Sequence, residues 1–172
     1  MSNLYQQTLE YFRKEEIDKC LESFEKAINR IQDKKDSIKL LNLLTDLLNY
    51  SQKKGDKTLE AEVLKNLGRL HAVRKDFTQG LQSYQKARII SKELGDKKGE
   101  AEALEYMAAD YAICGKLNFA VNFYRQALNL YKELDHRDKI DRIAWEIQKI
   151  EEVGDELDRN EYLMKKFHLE RK

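Results

Sequence analysis

Apolar and polar residues follow one another along this chain with the period of amphipathic α-helices, in blocks of about twenty residues. The blocks predict helices at about 3–13, 16–32, 37–53, 57–74, 77–94, 97–114, 117–134, 137–152 and 156–169. The chain contains no proline that would interrupt them. The pattern therefore predicts an all-α protein of eight or nine antiparallel helices, without strands.

Glycine-aspartate pairs separate several of the predicted helices. Gly55-Asp56, Gly95-Asp96 and Gly154-Asp155 each follow a helical block. A glycine just beyond a helix end takes the left-handed conformation easily, and the aspartate accepts hydrogen bonds from the first N–H groups of the next helix. The three pairs predict three turns between helices.

The third predicted helix, 37–53, is more apolar than the others. It carries six leucines: Leu40, Leu41, Leu43, Leu44, Leu47 and Leu48. At 100° per residue they cover nearly half of the helix circumference, which is too wide for a surface helix. This helix is therefore predicted to be buried, with neighbours on two sides.

A duplication organises the chain. Residues 55–64 read GDKTLEAEVL and residues 95–104 read GDKKGEAEAL, so seven of ten positions are identical at a spacing of forty. Beyond them, small and aromatic residues recur: Gly68 with Ala108, Gly80 with Ala120, Tyr84 with Tyr124, and Ala87 with Ala127. A fixed period of this kind indicates stacked helical repeats. Because a glycine inside a helix costs about 1 kcal/mol relative to alanine, Gly68 and Gly80 indicate a close helix crossing.

These repeats resemble the tetratricopeptide repeat family, and the forty-residue period resembles its long variety. The resemblance implies a right-handed α-solenoid of helix hairpins in a single domain, 1–172. Clear repeats would lie at about 1–34, 61–94 and 101–134, degenerate or extra helices at 37–53 and 137–152, and a capping helix at 156–169. Since the first two clear repeats start sixty residues apart, the inner surface is expected to be continuous only from the fourth helix onward.

The composition narrows the classes of function. Charged residues make up 37% of the chain, yet the net charge is +1 and no run of Lys and Arg is long enough for general attraction to nucleic acid. No apolar run reaches the roughly 20 residues of a membrane span, and the N-terminus lacks the apolar core of a signal peptide. We expect a cytoplasmic protein with two reduced, buried cysteines, Cys20 and Cys114.

The sequence contains no phosphate-binding glycine loop, HExxH, CxxC or nucleophilic serine elbow. His136-Arg137-Asp138 is interpreted as a turn and not as part of a catalytic loop. Several glutamates lack a His or Cys at metal-ligand spacing: Glu60, Glu62, Glu100, Glu102 and Glu105. No enzymatic activity, cofactor or metal site is predicted.

The family resemblance also implies where a ligand binds. In this family the first helices of successive repeats line a concave groove that receives an extended peptide or a helix, and here these are the helices at 57–74, 97–114 and 137–152. The groove-facing residues would be Lys65, Asn66, Arg69, Val73, Glu102, Glu105, Tyr106, Ala109, Ile113, Arg142, Trp145 and Lys149. Trp145 has a second interpretation, which is packing between the last two helices.

Two subsets of the family are matched in part. One subset clamps a C-terminal carboxylate with Lys and Asn; Lys65 and Arg142 match its basic positions, while Tyr106 stands where an asparagine is expected. The other subset, the polarity and scaffold adaptors, binds a peptide backbone through the Asn of an Asn-Leu-Gly triplet. Residues 66–68 match that triplet and residues 106–108 do not.

The sequence favours a non-enzymatic scaffold or adaptor that binds a peptide or helix segment of another protein in this groove. The alternative is a regulatory or assembly subunit that acts through a helix face or by self-association. The partner is predicted to be a protein and not nucleic acid or a membrane. The chain itself is expected to be a monomer or a weak homodimer.

Overall fold

The computed structural model describes residues 2–14, 16–30 and 34–169, and side chains over 5–14, 16–30 and 36–156. Over these residues the chain forms eight α-helices: α1 (Ser2–Arg13), α2 (Ile17–Ile28), α3 (Lys34–Lys54), α4 (Lys57–Val73), α5 (Phe77–Glu93), α6 (Lys97–Ile113), α7 (Leu117–Glu133) and α8 (Arg137–Leu169). The described residues contain no strand. The fold is an all-α helical-repeat solenoid, as predicted.

Four of these helices, α2, α4, α6 and α8, lie side by side. Arg69 of α4 donates a hydrogen bond at 3.1 Å to Oδ1 of Asn29, the residue that follows α2. Lys65 of α4 forms an ion pair with Glu102 of α6. An ion pair also joins α6 to α8. We call the surface formed by these four helices the inner face.

The inner face includes α2, which corrects the expectation that it begins at α4. The leucines of α3 explain the difference. Leu44 and Leu47 are fully buried and Leu40 is nearly so, because α3 packs against both α1 and α4. With α3 beside α1, the second helix of the first hairpin is placed directly against α4.

Two of the three predicted glycine-aspartate turns are confirmed. Gly55 and Gly95 adopt positive φ angles of 70° and 71°. Asp56 Oδ1 accepts a hydrogen bond from the N–H of Leu59 at 2.9 Å, and Asp96 Oδ1 accepts one from the N–H of Gly99 at 2.9 Å. Each pair therefore ends one helix and caps the next, which fixes the forty-residue repeat.

The third pair, Gly154-Asp155, does not form a turn. A single helix, α8, passes through it and continues to Leu169. The hairpin partner of α6 is α7, which covers Leu104 and Ala108, and both are buried. Ala144 and Gln148, at the same positions of α8, are exposed. An alanine and a glutamine offer a returning helix little apolar surface to bury, so the helix continues. The side chains that would define the predicted cap at 156–169 lie, from residue 157 on, outside the described residues.

Small residues let the helices of each hairpin cross closely, as predicted. A Cβ atom added to Gly80 would lie 3.2 Å from the carbonyl oxygen of Gly68, so α4 and α5 approach each other at these two glycines. Ala108 and Ala120 are completely buried at the same positions of α6 and α7. The ring of Tyr84 fills the space beside Gly68. The glycines are therefore explained by packing.

The two cysteines differ in their surroundings. Cys20 is buried within α2, and burial raises the pKa of its thiol to about 12. Cys114 is exposed, because it follows the last residue of α6 and lies at the turn to α7. The prediction of a buried thiol is right for Cys20 and wrong for Cys114.

Candidate partner-binding face

Two ion pairs at equivalent repeat positions join the helices of the inner face. Lys65 of α4 pairs with Glu102 of α6, and Glu105 of α6 pairs with Arg142 of α8. Within each pair the two residues are 37 positions apart in the chain. Lys65 and Glu105 occupy one repeat position, and Glu102 and Arg142 occupy the other. The basic and the acidic residue therefore change places between the two pairs. These four side chains link neighbouring repeats.

Lys65 and Asn66 are committed to bonds within the protein. Only 4% of the surface of Lys65 is exposed, and its ammonium group donates to Glu102 and, at 2.7 Å, to Glu62 Oε1. Burial by itself lowers the pKa of Lys65, but the two carboxylates outweigh it and hold that pKa above its ordinary value. The buried amide of Asn66 donates to the carbonyl oxygen of Glu62 at 3.2 Å. Neither side chain is presented to a ligand.

Replacing Lys65 with alanine is expected to lower the free energy of unfolding by about 2 kcal/mol, because two carboxylates lose a buried counter-charge. The same change at the exposed Lys149 should alter it by less than about 0.5 kcal/mol. Urea denaturation of both variants measures the difference. Equal free energies of unfolding for the two variants would show that Lys65 is not held in a buried ion pair, and it would again be a candidate for ligand contact.

Glu105 anchors α8 to α6. Its Oε2 accepts hydrogen bonds from the Tyr131 hydroxyl at 3.0 Å and from Lys139 Nζ at 3.4 Å, and its Oε1 binds Arg142. Burial, reinforced by the charge of Glu105, raises the pKa of Tyr131 far above its ordinary value, so the hydroxyl remains a donor. Glu105 is buried, whereas about half of the Arg142 side chain is open to solvent.

Arg69 and Tyr106 form a stack at the centre of the inner face. The Arg69 guanidinium lies 5.5 Å from the centroid of the Tyr106 ring, and that ring stacks on buried Tyr84 at 5.4 Å. Arg69 also donates to Glu25 Oε1 of α2 at 3.3 Å. A change at Arg69 or Tyr106 would therefore disturb packing as well as any ligand. The sequence indicated this site for ligand contacts but not its role in holding α2 against α4.

An apolar row crosses one end of the inner face. Val73 and Ile113 are the last residues of α4 and α6, and Val153 occupies the same repeat position in α8. Their exposed fractions are 47%, 68% and 49%, although each is a β-branched aliphatic residue. We call these three residues the apolar row. Val153 was absent from the predicted set, but the forty-residue spacing would have identified it.

Trp145 lies exposed on α8, with half of its surface open to solvent. The ammonium group of Lys149 is 4.3 Å from the centroid of its ring. The alternative interpretation of Trp145, packing between the last two helices, does not apply, because those helices are one continuous helix. Ala109, one turn before Ile113, is partly exposed. These residues extend the accessible part of the inner face beyond the apolar row.

The stacked hairpins, with small residues at each crossing, define a helical-repeat protein. Residues 59–133 match the family model described as tetratricopeptide repeat. This match supports a tetratricopeptide repeat family, whose repeats generally mediate interactions between proteins. No curated protein matches the chain.

Membrane spans and metal sites are two other features that such a chain could contain. None of the described helices combines the length and the apolar composition needed to cross a membrane. Within the described parts of the chain, no three or more His, Cys, Asp or Glu side chains are grouped as a metal ion would require.

Proposed function

We propose that this protein is a non-enzymatic scaffold or adaptor that binds a segment of a partner protein on its inner face. The forty-residue spacing supports its assignment to the long-repeat variety of the family. The partner segment would lie across α4, α6 and α8, with its apolar side chains on the apolar row and on Trp145.

The observation that carries this proposal is the regular exposure of the apolar row. Most charged groups of the inner face neutralise one another, as Lys65 and Glu102 do and as Glu105 and Arg142 do. Exposed aliphatic and aromatic residues that form one surface are typical of protein interaction sites. The positions repeat on three alternate helices, α4, α6 and α8, which lie side by side, so a single helix or extended segment can contact all of them.

The proposal predicts that Ile113→Asp weakens partner binding strongly. A carboxylate at this position would have to be desolvated beneath the apolar side chains of the partner, and we expect an affinity loss of at least about tenfold. Ile89→Asp is the matched control, since Ile89 is also a helical isoleucine, 48% exposed, but lies on α5 outside the inner face.

Affinity capture from cell extract with quantitative mass spectrometry compares the two variants and the unmodified protein. Proteins that bind the unmodified chain and the Ile89→Asp variant, but not the Ile113→Asp variant, are the expected partners. Trp145→Ala should weaken the binding of the same proteins. The proposal fails if the proteins captured with Ile113→Asp and Ile89→Asp are the same and equally abundant.

The second candidate is a regulatory or assembly subunit that associates with itself. It is favoured by exposed apolar residues away from the inner face, among them Phe119 of α7, of which 58% is exposed. Sedimentation velocity of the protein and of a Phe119→Asp variant tests this function. A dimer that the substitution abolishes would support it, and a monomer at all concentrations would exclude it.

A further inference from the structure

A cavity of about 450 Å³ opens on the inner face where α2 meets the start of α4. It lies toward the first turns of these helices, whereas the apolar row lies at the last turns of α4 and α6. Side chains from α2, α3 and α4 line it together. We call it the α2–α4 pocket.

The walls of the α2–α4 pocket are apolar. Leu59 of α4 is buried, and Leu21 of α2 and Tyr50 of α3 are partly buried. This lining suits a side chain with a long aliphatic stem, because the stem is removed from water without exposing a polar group. The cavity volume exceeds what one such stem fills.

The rim of the pocket is acidic. Asp18, Asp56 and Glu62 surround it, and Lys54 is the one basic residue in its lining. Among the described residues Asp18 has no ion-pair partner, while one oxygen of Asp56 caps α4 and one oxygen of Glu62 binds Lys65. Each of these carboxylates keeps at least one oxygen able to accept a further hydrogen bond.

The aromatic wall already accepts a cation. The ammonium group of Lys54 lies 5.5 Å from the centroid of the Tyr50 ring, which is the arrangement of a cation–π contact. Lys54 is itself exposed and forms no ion pair with the carboxylates at the rim among the described residues. Because Lys54 is exposed and is not held by these carboxylates, it can move aside and leave the ring to another cation.

We propose that the α2–α4 pocket receives the side chain of an arginine from the partner segment, an inference that rests on the proposed binding function. The planar guanidinium group can stack flat on an aromatic ring while its N–H groups donate to two carboxylates, whereas a lysine ammonium group has no plane with which to stack. Asp18 and Glu62 are its hydrogen-bond acceptors, and Leu21 and Leu59 contact its stem. The pocket fixes the direction of the partner segment relative to the apolar row.

The test uses the intact protein and Nα-acetyl-arginine N-methylamide as the probe, followed by NMR of the leucine methyl groups and tyrosine rings. We expect saturable shifts of Leu21, Leu59 and Tyr50 with a dissociation constant in the millimolar range, on the order of what one side chain supplies. The citrulline analogue has the same shape without the charge and should bind at least about tenfold more weakly.

Asp18→Asn should lower the affinity for the arginine probe at least about threefold. Asp46→Asn is the matched control, since Asp46 lies on the exposed surface of α3. Circular dichroism verifies that both variants are folded. Equal binding of arginine and citrulline, no effect of Asp18→Asn, or no saturable shift up to ~50 mM probe would overturn the proposal.

The two proposals fail separately. Arginine binding together with unchanged capture by the Ile113→Asp variant would reject the proposed function and keep the pocket. Loss of capture by that variant without arginine binding would keep the function and reject the pocket.

Discussion

Replacing Gly68 with alanine is expected to destabilise the protein by about 2 kcal/mol or more. The added Cβ atom would lie 2.3 Å from Cε1 of Tyr84, well inside the contact distance of two carbon atoms. The Tyr84 ring has little room to move, because it is almost completely buried and stacks on Tyr106. The better helix propensity of alanine returns only about 1 kcal/mol.

Gly154 offers a matched control for this substitution. It also lies within a helix, α8, but a Cβ atom there would meet nothing within 4 Å. Gly154→Ala should therefore stabilise the protein by about 0.5–1 kcal/mol. Urea denaturation of both variants gives the comparison. If Gly68→Ala is as stable as Gly154→Ala, the close crossing of α4 and α5 is not present.

The second large effect concerns pH and Asp110. Only 3% of this residue is exposed, and its Oδ2 has no hydrogen-bond partner among the described residues. The preceding repeat has Leu70 at the same position. Burial raises the pKa of Asp110 from 3.8 to about 7, so the neutral acid is favoured in the folded protein.

The sign of the pH dependence follows from this shift. The contribution of Asp110 to stability is fully present below about pH 4, falls as the pH rises, and is lost above the folded pKa near 7. A shift of about three pKa units corresponds to at most about 4 kcal/mol. Asp110→Asn cannot ionise, so we expect nearly equal stability at pH 4 and a variant more stable by about 2–4 kcal/mol at pH 8.

Urea denaturation of both proteins from pH 4 to pH 8 measures this difference. His71 contributes a slope of opposite sign, because burial lowers its pKa and its contribution is lost as the pH falls below 6.5. His71 is present in both proteins, so its contribution cancels in the comparison. Parallel stability curves would contradict the assignment to Asp110.

Local patterns were sufficient to predict most of the helix boundaries and the small residues at the crossings. Gly55-Asp56 and Gly95-Asp96 carry their turn chemistry within a few residues. Gly154-Asp155 has the same local sequence signal. Whether the helix ends there depends on whether the exposed face of α8 has an apolar surface for a returning helix to bury. A local motif does not contain that information.

The site was harder to predict, because the burial of each side chain and its ion-pair partner depend on residues far away in the sequence. The family resemblance placed Lys65 with Arg69 in the groove-facing set, but nothing near Lys65 in the sequence indicated that Glu102, 37 residues away, would bury it in an ion pair. The place of α2 beside α4 depended on α3, whose leucines predicted its burial but not its neighbours. Exposure of the apolar row required the completed fold.

The most direct test of the inner face is a methyl NMR titration of the intact protein with a partner identified by capture. The signals of Val73, Ile113 and Val153 report on the apolar row, and the signal of Ile89 reports on α5. If the partner binds the inner face, all three signals of the apolar row shift to saturation while the signal of Ile89 remains unchanged. Shifts at Ile89 with no change in the apolar row would contradict binding on the inner face.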